Sequence, residues 1–136
     1  DTMLSPRRIM VVDDSVIARR RLVALFKQMN IECVVAQDGR EALERLLELA
    51  DADPAEGVKL VVSDIEMPRL DGYALTRAIR ETPSLRQLKV VLHSSLSGLF
   101  NEAMVKEVNA DRCVAKFQPD LLAKAVLDLL PEHEGD

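Results

Sequence analysis

Polar residues stand at the ends of several short apolar runs, where their types and spacing could support chemistry. Asp13 and Asp14 follow one run, Asp64 follows a second, and Ser94 and Lys116 follow two more. Three carboxylates that lie close together ionise only at a cost unless a cation joins them, and oxygen ligands favour a hard cation such as Mg²⁺. A hydroxyl and an ammonium suit the oxygens of a phosphoryl group. The set therefore predicts phosphoryl transfer onto an aspartate, with Mg²⁺ and Lys116 neutralising the charge.

Strands must position these residues, because apolar runs that lack polar alternation are typical of strands buried on both faces. Strands are predicted at 9–14, 32–36, 59–63, 89–93 and 112–115. Helical periodicity predicts helices at 15–29, 39–49, 71–81, 99–108 and 119–130. This alternation predicts an α/β fold with a parallel sheet and helices on both faces. Since the carboxyl ends of parallel strands form one rim, the polar residues should converge on one pocket.

The first two helices are expected to bury apolar stripes against the sheet. The predicted stripes contain Val16, Ile17, Val23, Leu25, Phe26 and Met29 in the first helix, and Leu43, Leu46 and Leu47 in the second. Asp14 or Ser15 can cap the first helix, and Asp71 can cap the third.

Length and composition favour one globular domain over residues 8–130. Residues 1–7 are predicted to be a linker or an expression remnant, and residues 131–136 a tail. No apolar run approaches the roughly 20 residues that span a bilayer, so no membrane insertion is expected. The net charge of −5 argues against nonspecific nucleic-acid binding. Cys33 and Cys113 are expected to be small buried apolar residues rather than a disulfide or a metal site.

The polar set extends into a longer pattern, in which Met67-Pro68 and Asp71-Gly72 follow Asp64. In order and spacing the whole pattern resembles the receiver domain of two-component response regulators, over about residues 8–130. The resemblance implies a flavodoxin-like (CheY-like) fold with five helices and the strand order 2-1-3-4-5. It also implies a domain that undergoes only self-phosphorylation and self-dephosphorylation, rather than an enzyme with a separate substrate.

The same resemblance implies a role for each site residue. Asp64 would be the phosphoacceptor. Asp14, Asp64 and the backbone carbonyl of Glu66 would bind Mg²⁺, or Mn²⁺ in its place, and Asp13 would assist through water. Ser94 and Lys116 would occupy the positions of the hydroxyl and the lysine that contact the phosphoryl group.

A narrower resemblance rests on the segment 92–98, Leu-His-Ser-Ser-Leu-Ser-Gly, and on Ala115-Lys116-Phe117. These residues look like the receiver of CheV-type chemotaxis coupling proteins. That family implies a CheA-like histidine kinase as partner, a CheW-like domain N-terminal to the receiver, and a cytoplasmic location. Cys113 stands where many receivers have an aromatic switch residue. The signal is therefore expected to leave through the loop after Ser94, toward the face formed by the fourth helix, the fifth strand and the fifth helix.

Three other functions remain open on the residues alone. A Mg²⁺-dependent aspartyl-phosphate phosphatase would use Asp64 and Glu66, but it needs a substrate cap that the sequence lacks. A flavin carrier of the same architecture would need a phosphate loop after the first strand, where Asp13 and Asp14 would repel phosphate. A docking module would need no phosphorylation at all. His93 is expected to be a packed or hydrogen-bonded imidazole rather than a phosphorylation site.

Overall fold

The computed structural model describes residues 7–51, 57–94, 102–116 and 118–130. Strands and helices alternate along the chain, as predicted. The strands are β1 Arg7–Val12, β2 Ile31–Ala36, β3 Leu60–Asp64, β4 Lys89–Ser94 and β5 Arg112–Ala115. The helices are α1 Val16–Gln28, α2 Gly39–Ala50, α3 Gly72–Glu81, α4 Glu102–Glu107 and α5 Pro119–Leu129.

All five strands form one parallel sheet in the order β2-β1-β3-β4-β5, which confirms the expected fold. β3 lies at the centre, and all of its residues are buried. Its last residue, Asp64, pairs in register with His93 of β4. Because β1 and β4 flank β3, the ends of three neighbouring strands surround Asp64.

The core consists of two apolar layers, one on each face of the sheet. Alternate residues of β1 enter different layers, since successive strand side chains point to opposite faces. Met10 and Val12 belong to the layer under α2 and α3, while Ile9 and Val11 belong to the layer under α1 and α5. Phe26 of α1 is fully buried in the second layer. These two layers thereby hold the helices against both faces of the sheet.

The first loop begins earlier than the sequence pattern predicts. β1 ends at Val12, so Asp13 and Asp14 lie in the connection to α1 rather than in the strand. The Asp13 N–H still donates to the Ala36 carbonyl (3.1 Å), while Asp13 Oδ1 accepts the Ser15 N–H (2.9 Å) and turns the chain. Ser15 then caps α1 by accepting the Ala18 N–H (3.2 Å). β1 also begins at Arg7, inside the predicted linker.

Three apolar residues predicted to be buried are exposed. Val16 and Ile17 are 50% and 66% exposed, and Leu47 is 42% exposed. The first turn of α1 lies at the rim, just beyond the end of β1, where no part of the sheet can cover it. In α2, Leu46 takes the inward position and Leu47 is turned away from the core. The expected start of the fourth helix at residue 99 falls outside the described residues.

The cap of α3 confirms its predicted start. Asp71 accepts the Ala74 N–H at 2.8 Å, as expected for an N-cap carboxylate. In the described part of the chain, no helix combines the length and the apolar character needed to span a membrane.

Candidate functional site

Three carboxylates meet at the rim of the sheet. Asp13, Asp14 and Asp64 each offer an oxygen, and these oxygens all lie within 4.8 Å of one another. Asp13 and Asp64 are 0% and 2% exposed, while Asp14 is exposed. An all-oxygen donor set with one open side suits a hard cation that retains water, such as Mg²⁺. These residues therefore fit the metal that their types predicted.

Lys116 brings a positive charge into this cluster. Its Nζ lies 3.2 Å from Asp64 Oδ2 and 3.3 Å from Asp13 Oδ2. The backbone N–H of Lys116 donates to the Ser94 carbonyl at 2.6 Å, which fixes the start of the turn after β5. Burial disfavours the charged form of Lys116, but Asp13 and Asp64 outweigh burial and raise its pKa above the ordinary value. One ammonium thus bridges two carboxylates.

The environment of Asp64 disfavours its charge. Burial, and then the charge of Asp13, raise the pKa of Asp64 from 3.8 to about 6, although Lys116 and the Glu66 N–H partly oppose the shift. The Glu66 N–H lies 3.4 Å from Asp64 Oδ1. A cation added beside Asp64 would favour the ionised form, so metal binding and the reactivity of this carboxylate are coupled.

The loop after β3 is held close to the strand and to α2 by two glycines. A Cβ on Gly72 would lie 2.4 Å from the Asp64 carbonyl oxygen, and a Cβ on Gly39 would lie 2.3 Å from the Leu70 carbonyl oxygen. The Gly39 N–H donates to that same Leu70 oxygen at 3.1 Å. Only glycine permits such close approach of two backbones. The loop that carries Glu66 therefore has little freedom to move.

An ion pair reinforces this loop. Arg69 has a positive φ of 70°, and its guanidinium donates to Asp38, the N-cap of α2. Burial disfavours the charge of Asp38, but hydrogen bonds from the Glu41 N–H and from Arg69 outweigh burial and lower its pKa. The sequence predicts only a helix from residue 39 onward, and nothing in its pattern relates Asp38 to Arg69.

Ser94 and Glu66 also lie at the rim. Ser94 is the last residue of β4 and is 1% exposed, and Glu66 is half-buried two residues after Asp64. All six predicted site residues thus belong to strand ends or to the loops that follow them. The structure brings Asp13, Asp14, Asp64 and Lys116 into direct proximity. The individual roles of the six residues remain predictions.

His93 is buried beside this cluster. The residue is 4% exposed, and its Nε2 lies 3.7 Å from Asp13 Oδ2. Burial, and then the charge of Lys116, lower the pKa of His93 to about 3. The imidazole is therefore neutral at ordinary pH. His93 also lines a cavity of about 500 Å³ between α1 and α5, together with apolar residues such as Leu22 and Leu122.

Comparison with known proteins agrees with the geometry. The family model for the response regulator receiver domain matches residues 9–127. Protein PilG of Pseudomonas aeruginosa is 33% identical over 125 residues, which cover 91% of this chain and 87% of PilG. Chemotaxis protein CheV3 of Helicobacter pylori is 26% identical over 92% of this chain, but the match spans only 41% of CheV3.

Solved structures give the same result. Response regulator TrrA of Thermotoga maritima, in complex with Mg²⁺ and BeF, is 30% identical with a TM-score of 0.78, covering 91% of this chain and 99% of TrrA. A receiver domain from a signal transduction histidine kinase of Syntrophus aciditrophicus is 32% identical with the same TM-score, covering 91% and 89% of the two chains. Receiver domains bind Mg²⁺ through acidic residues and accept a phosphoryl group in such a pocket. The chain therefore belongs to the response regulator receiver domain family of two-component and chemotaxis signalling proteins.

Proposed function

We propose that Asp64 receives a phosphoryl group from the phosphohistidine of a histidine kinase. The observation that carries this proposal is the position of Asp64 at the end of the central strand, with Lys116 Nζ 3.2 Å from its Oδ2 and Asp13 and Asp14 beside it. An oxygen of Asp64 attacks phosphorus, the new O–P bond forms as the P–N bond breaks, and the released imidazole takes up a proton. The product is an aspartyl phosphate.

Asp14, Asp64 and the backbone carbonyl of Glu66 would hold Mg²⁺, or Mn²⁺ in its place, with Asp13 acting through water. When bound, the ion supplies positive charge that offsets the negative charge of the phosphoryl oxygens in the transition state. The Glu66 carbonyl is suited to this role because the ion pair between Arg69 and Asp38 restrains its loop. Asp13 is suited to indirect binding because its oxygens already face the Ser15 N–H and Lys116.

Lys116 and Ser94 would contact the transferred group. Lys116 bridges two carboxylates before the reaction, and the dianionic phosphoryl oxygens are a stronger attraction for its ammonium than a single carboxylate. Ser94 can donate its hydroxyl from the end of the neighbouring strand. Both residues lead into the face formed by α4, β5 and α5, so their movement would alter that face. Residues 95–101, through which the Ser94 signal would pass, lie outside the described residues.

The partners follow from the same relatives. We propose a CheA-like histidine kinase as phosphoryl donor, a CheW-like domain in the same protein, and a cytoplasmic location. The chemotaxis proteins CheV1, CheV2 and CheV3 of Helicobacter pylori support this setting, because they match the chain over 36% to 41% of their own length and leave room for another domain. PilG, which matches over nearly its whole length, supports a receiver that stands alone.

The proposal is tested by incubation with acetyl phosphate and Mg²⁺, followed by intact-protein mass spectrometry. We expect a gain of one phosphoryl group in the wild type and none in Asp64→Asn. Asp51→Asn changes an exposed aspartate outside the site and should label like the wild type. Labelling of Asp64→Asn would refute the assignment. Sustained turnover of added phosphate esters would favour the phosphatase, and no labelling of the wild type would favour a docking module.

A further inference from the structure

Two buried polar atoms face each other beside the site without a hydrogen bond. Within the described residues, Asp13 Oδ2 and His93 Nε2 both lack a hydrogen-bond partner, and they lie 3.7 Å apart. Buried polar groups are nearly always satisfied, so such a pair needs an explanation. The mechanism proposed above makes no use of His93.

The charge of Asp13 favours a proton on Nε2 of His93. A neutral imidazole has one N–H donor and one acceptor nitrogen. If Nε2 were the acceptor, its lone pair would face the carboxylate of Asp13, and the two would repel each other. A proton on Nε2 would remove this repulsion and present a donor to Asp13. Closing the gap to a hydrogen bond of about 3 Å needs a movement of less than about 1 Å.

Among the described residues, few other groups can donate a hydrogen bond to Asp13. Its Oδ1 already accepts the Ser15 N–H at 2.9 Å, and the nearby Arg19 guanidinium donates to the Asp13 backbone carbonyl at 2.5 Å. Its Oδ2 depends on the ion pair with Lys116 at 3.3 Å, and Lys116 is shared with Asp64. When Lys116 turns to a phosphoryl group on Asp64, Oδ2 would lose its main partner while remaining fully buried.

We propose that His93 is a positioning residue, which donates a hydrogen bond from Nε2 to Asp13 Oδ2 when Lys116 moves to the phosphoryl group. This inference rests on the proposed phosphorylation of Asp64. His93 would hold the Asp13 side chain in one orientation in the phosphorylated state, so that Asp13 could keep its proposed contact to the metal through water. In the unphosphorylated state Lys116 supplies the charge, and the contribution of His93 to metal binding is small.

The tautomer and its hydrogen bond can be measured directly by NMR. The chain has two histidines, His93 and His133, so long-range ¹H–¹⁵N spectra of the imidazoles can be assigned with the variant His133→Gln. The protein is measured alone, with Mg²⁺, and with Mg²⁺ and beryllofluoride as phosphoryl mimic. We expect the Nε2–H tautomer in all three states, and a downfield shift of the Nε2 proton only with the mimic.

Two results would overturn the inference separately from the proposed function. One is an Nδ1–H tautomer. The other is an unchanged His93 imidazole in the presence of the mimic, while the amides of Asp64 and Lys116 shift. If the amides of Asp64 and Lys116 do not respond to the mimic either, the proposed function fails and the inference fails with it.

Matched variants separate hydrogen bonding from packing. His93→Gln keeps an N–H donor near the position of Nε2, whereas His93→Leu keeps the volume and removes the donor. We expect His93→Leu to weaken beryllofluoride binding by about ten- to a hundredfold, as for loss of one hydrogen bond to a charged group. His93→Gln should bind the mimic close to wild type, and Mg²⁺ affinity without the mimic should change little in either variant. Equal beryllofluoride affinities of the Leu and Gln variants would overturn the proposal, and the NMR test on the wild type stands even if the Leu variant does not fold.

Discussion

Replacing Asp64 by asparagine should stabilise the metal-free protein above neutral pH. The folded state holds the Asp64 carboxylate in a buried position beside the negative charge of Asp13, and both raise its pKa to about 6. The asparagine side chain has nearly the same shape as the carboxylate and carries no charge. Lys116 would keep its contact with Asp13 at 3.3 Å. The variant therefore removes a repulsion and leaves one of the two ion pairs of Lys116 in place.

The size and the sign of the effect follow from the pKa of Asp64. A rise from 3.8 to about 6 corresponds to about 3 kcal/mol. Water at the open side, next to exposed Asp14, reduces this to about 1–2 kcal/mol. Because the folded protein binds this proton more tightly than the unfolded chain, the wild type carries the full penalty above pH about 6. The penalty shrinks between pH about 6 and 3.8 and is absent below 3.8.

Urea unfolding followed by circular dichroism measures this prediction in EDTA at pH 8 and near pH 4. We expect Asp64→Asn to raise the free energy of unfolding by about 1–2 kcal/mol at pH 8, or the melting temperature by about 3–8 °C, and by much less near pH 4. Added Mg²⁺ should reduce the difference in the free energy of unfolding between the variant and the wild type at pH 8, because the ion stabilises the Asp64 carboxylate that only the wild type has. Asp51→Asn serves as the exposed control. A variant less stable than the wild type at pH 8 in EDTA would contradict the reasoning.

Three further outcomes test other parts of the structure. Asp14→Ala should lower the affinity for Mn²⁺, followed by electron paramagnetic resonance, by about tenfold or more, because the ion loses a direct carboxylate; an unchanged affinity would disprove the ligand assignment. In Ser94→Ala, beryllofluoride should no longer change amide exchange over residues 102–108, and a persisting change would mean that another group carries the signal. Arg80→Met should lower the free energy of unfolding by about 2–3 kcal/mol, because Arg80 donates to three backbone carbonyls and a carboxylate from a largely buried position. Arg77→Met breaks an exposed ion pair and should lower the free energy of unfolding by less than about 0.5 kcal/mol. Equal losses of unfolding free energy for Arg80→Met and Arg77→Met in urea would refute this account.

The strand ends were predictable to within two residues because their positions depend on local sequence. Each apolar run stops where a polar residue enters, and Pro68 forces a turn soon after Asp64. Since parallel strands share one rim, the convergence of Asp13, Asp64 and Lys116 needed no further information. The strand order came from the resemblance to receiver domains, and the sheet confirms it.

The side-chain contacts between distant segments depend on the three-dimensional positions of helices and loops, which a local sequence pattern does not predict. Periodicity gives the apolar side of α1, but it cannot show that the sheet stops short of Val16 and Ile17. The pairing of Arg69 with Asp38 joins residues from two separate connections, and it depends on the φ of 70° at Arg69. The bridging of two carboxylates by Lys116 likewise depends on side-chain directions at the rim.

The late position of Lys116 in the sequence has a consequence for the order in which the pocket can form. Asp13 and Asp64 leave the ribosome well before the ammonium that joins them, because the chain is made from its N-terminus. Until residue 116 is available and β5 has paired with β4, the two carboxylates repel each other in a closing core. This repulsion disfavours early burial of an incomplete sheet. A nascent chain that ends before β5 should therefore keep its rim open and hydrated, and should acquire a competent phosphorylation pocket only when its last strand and helix dock.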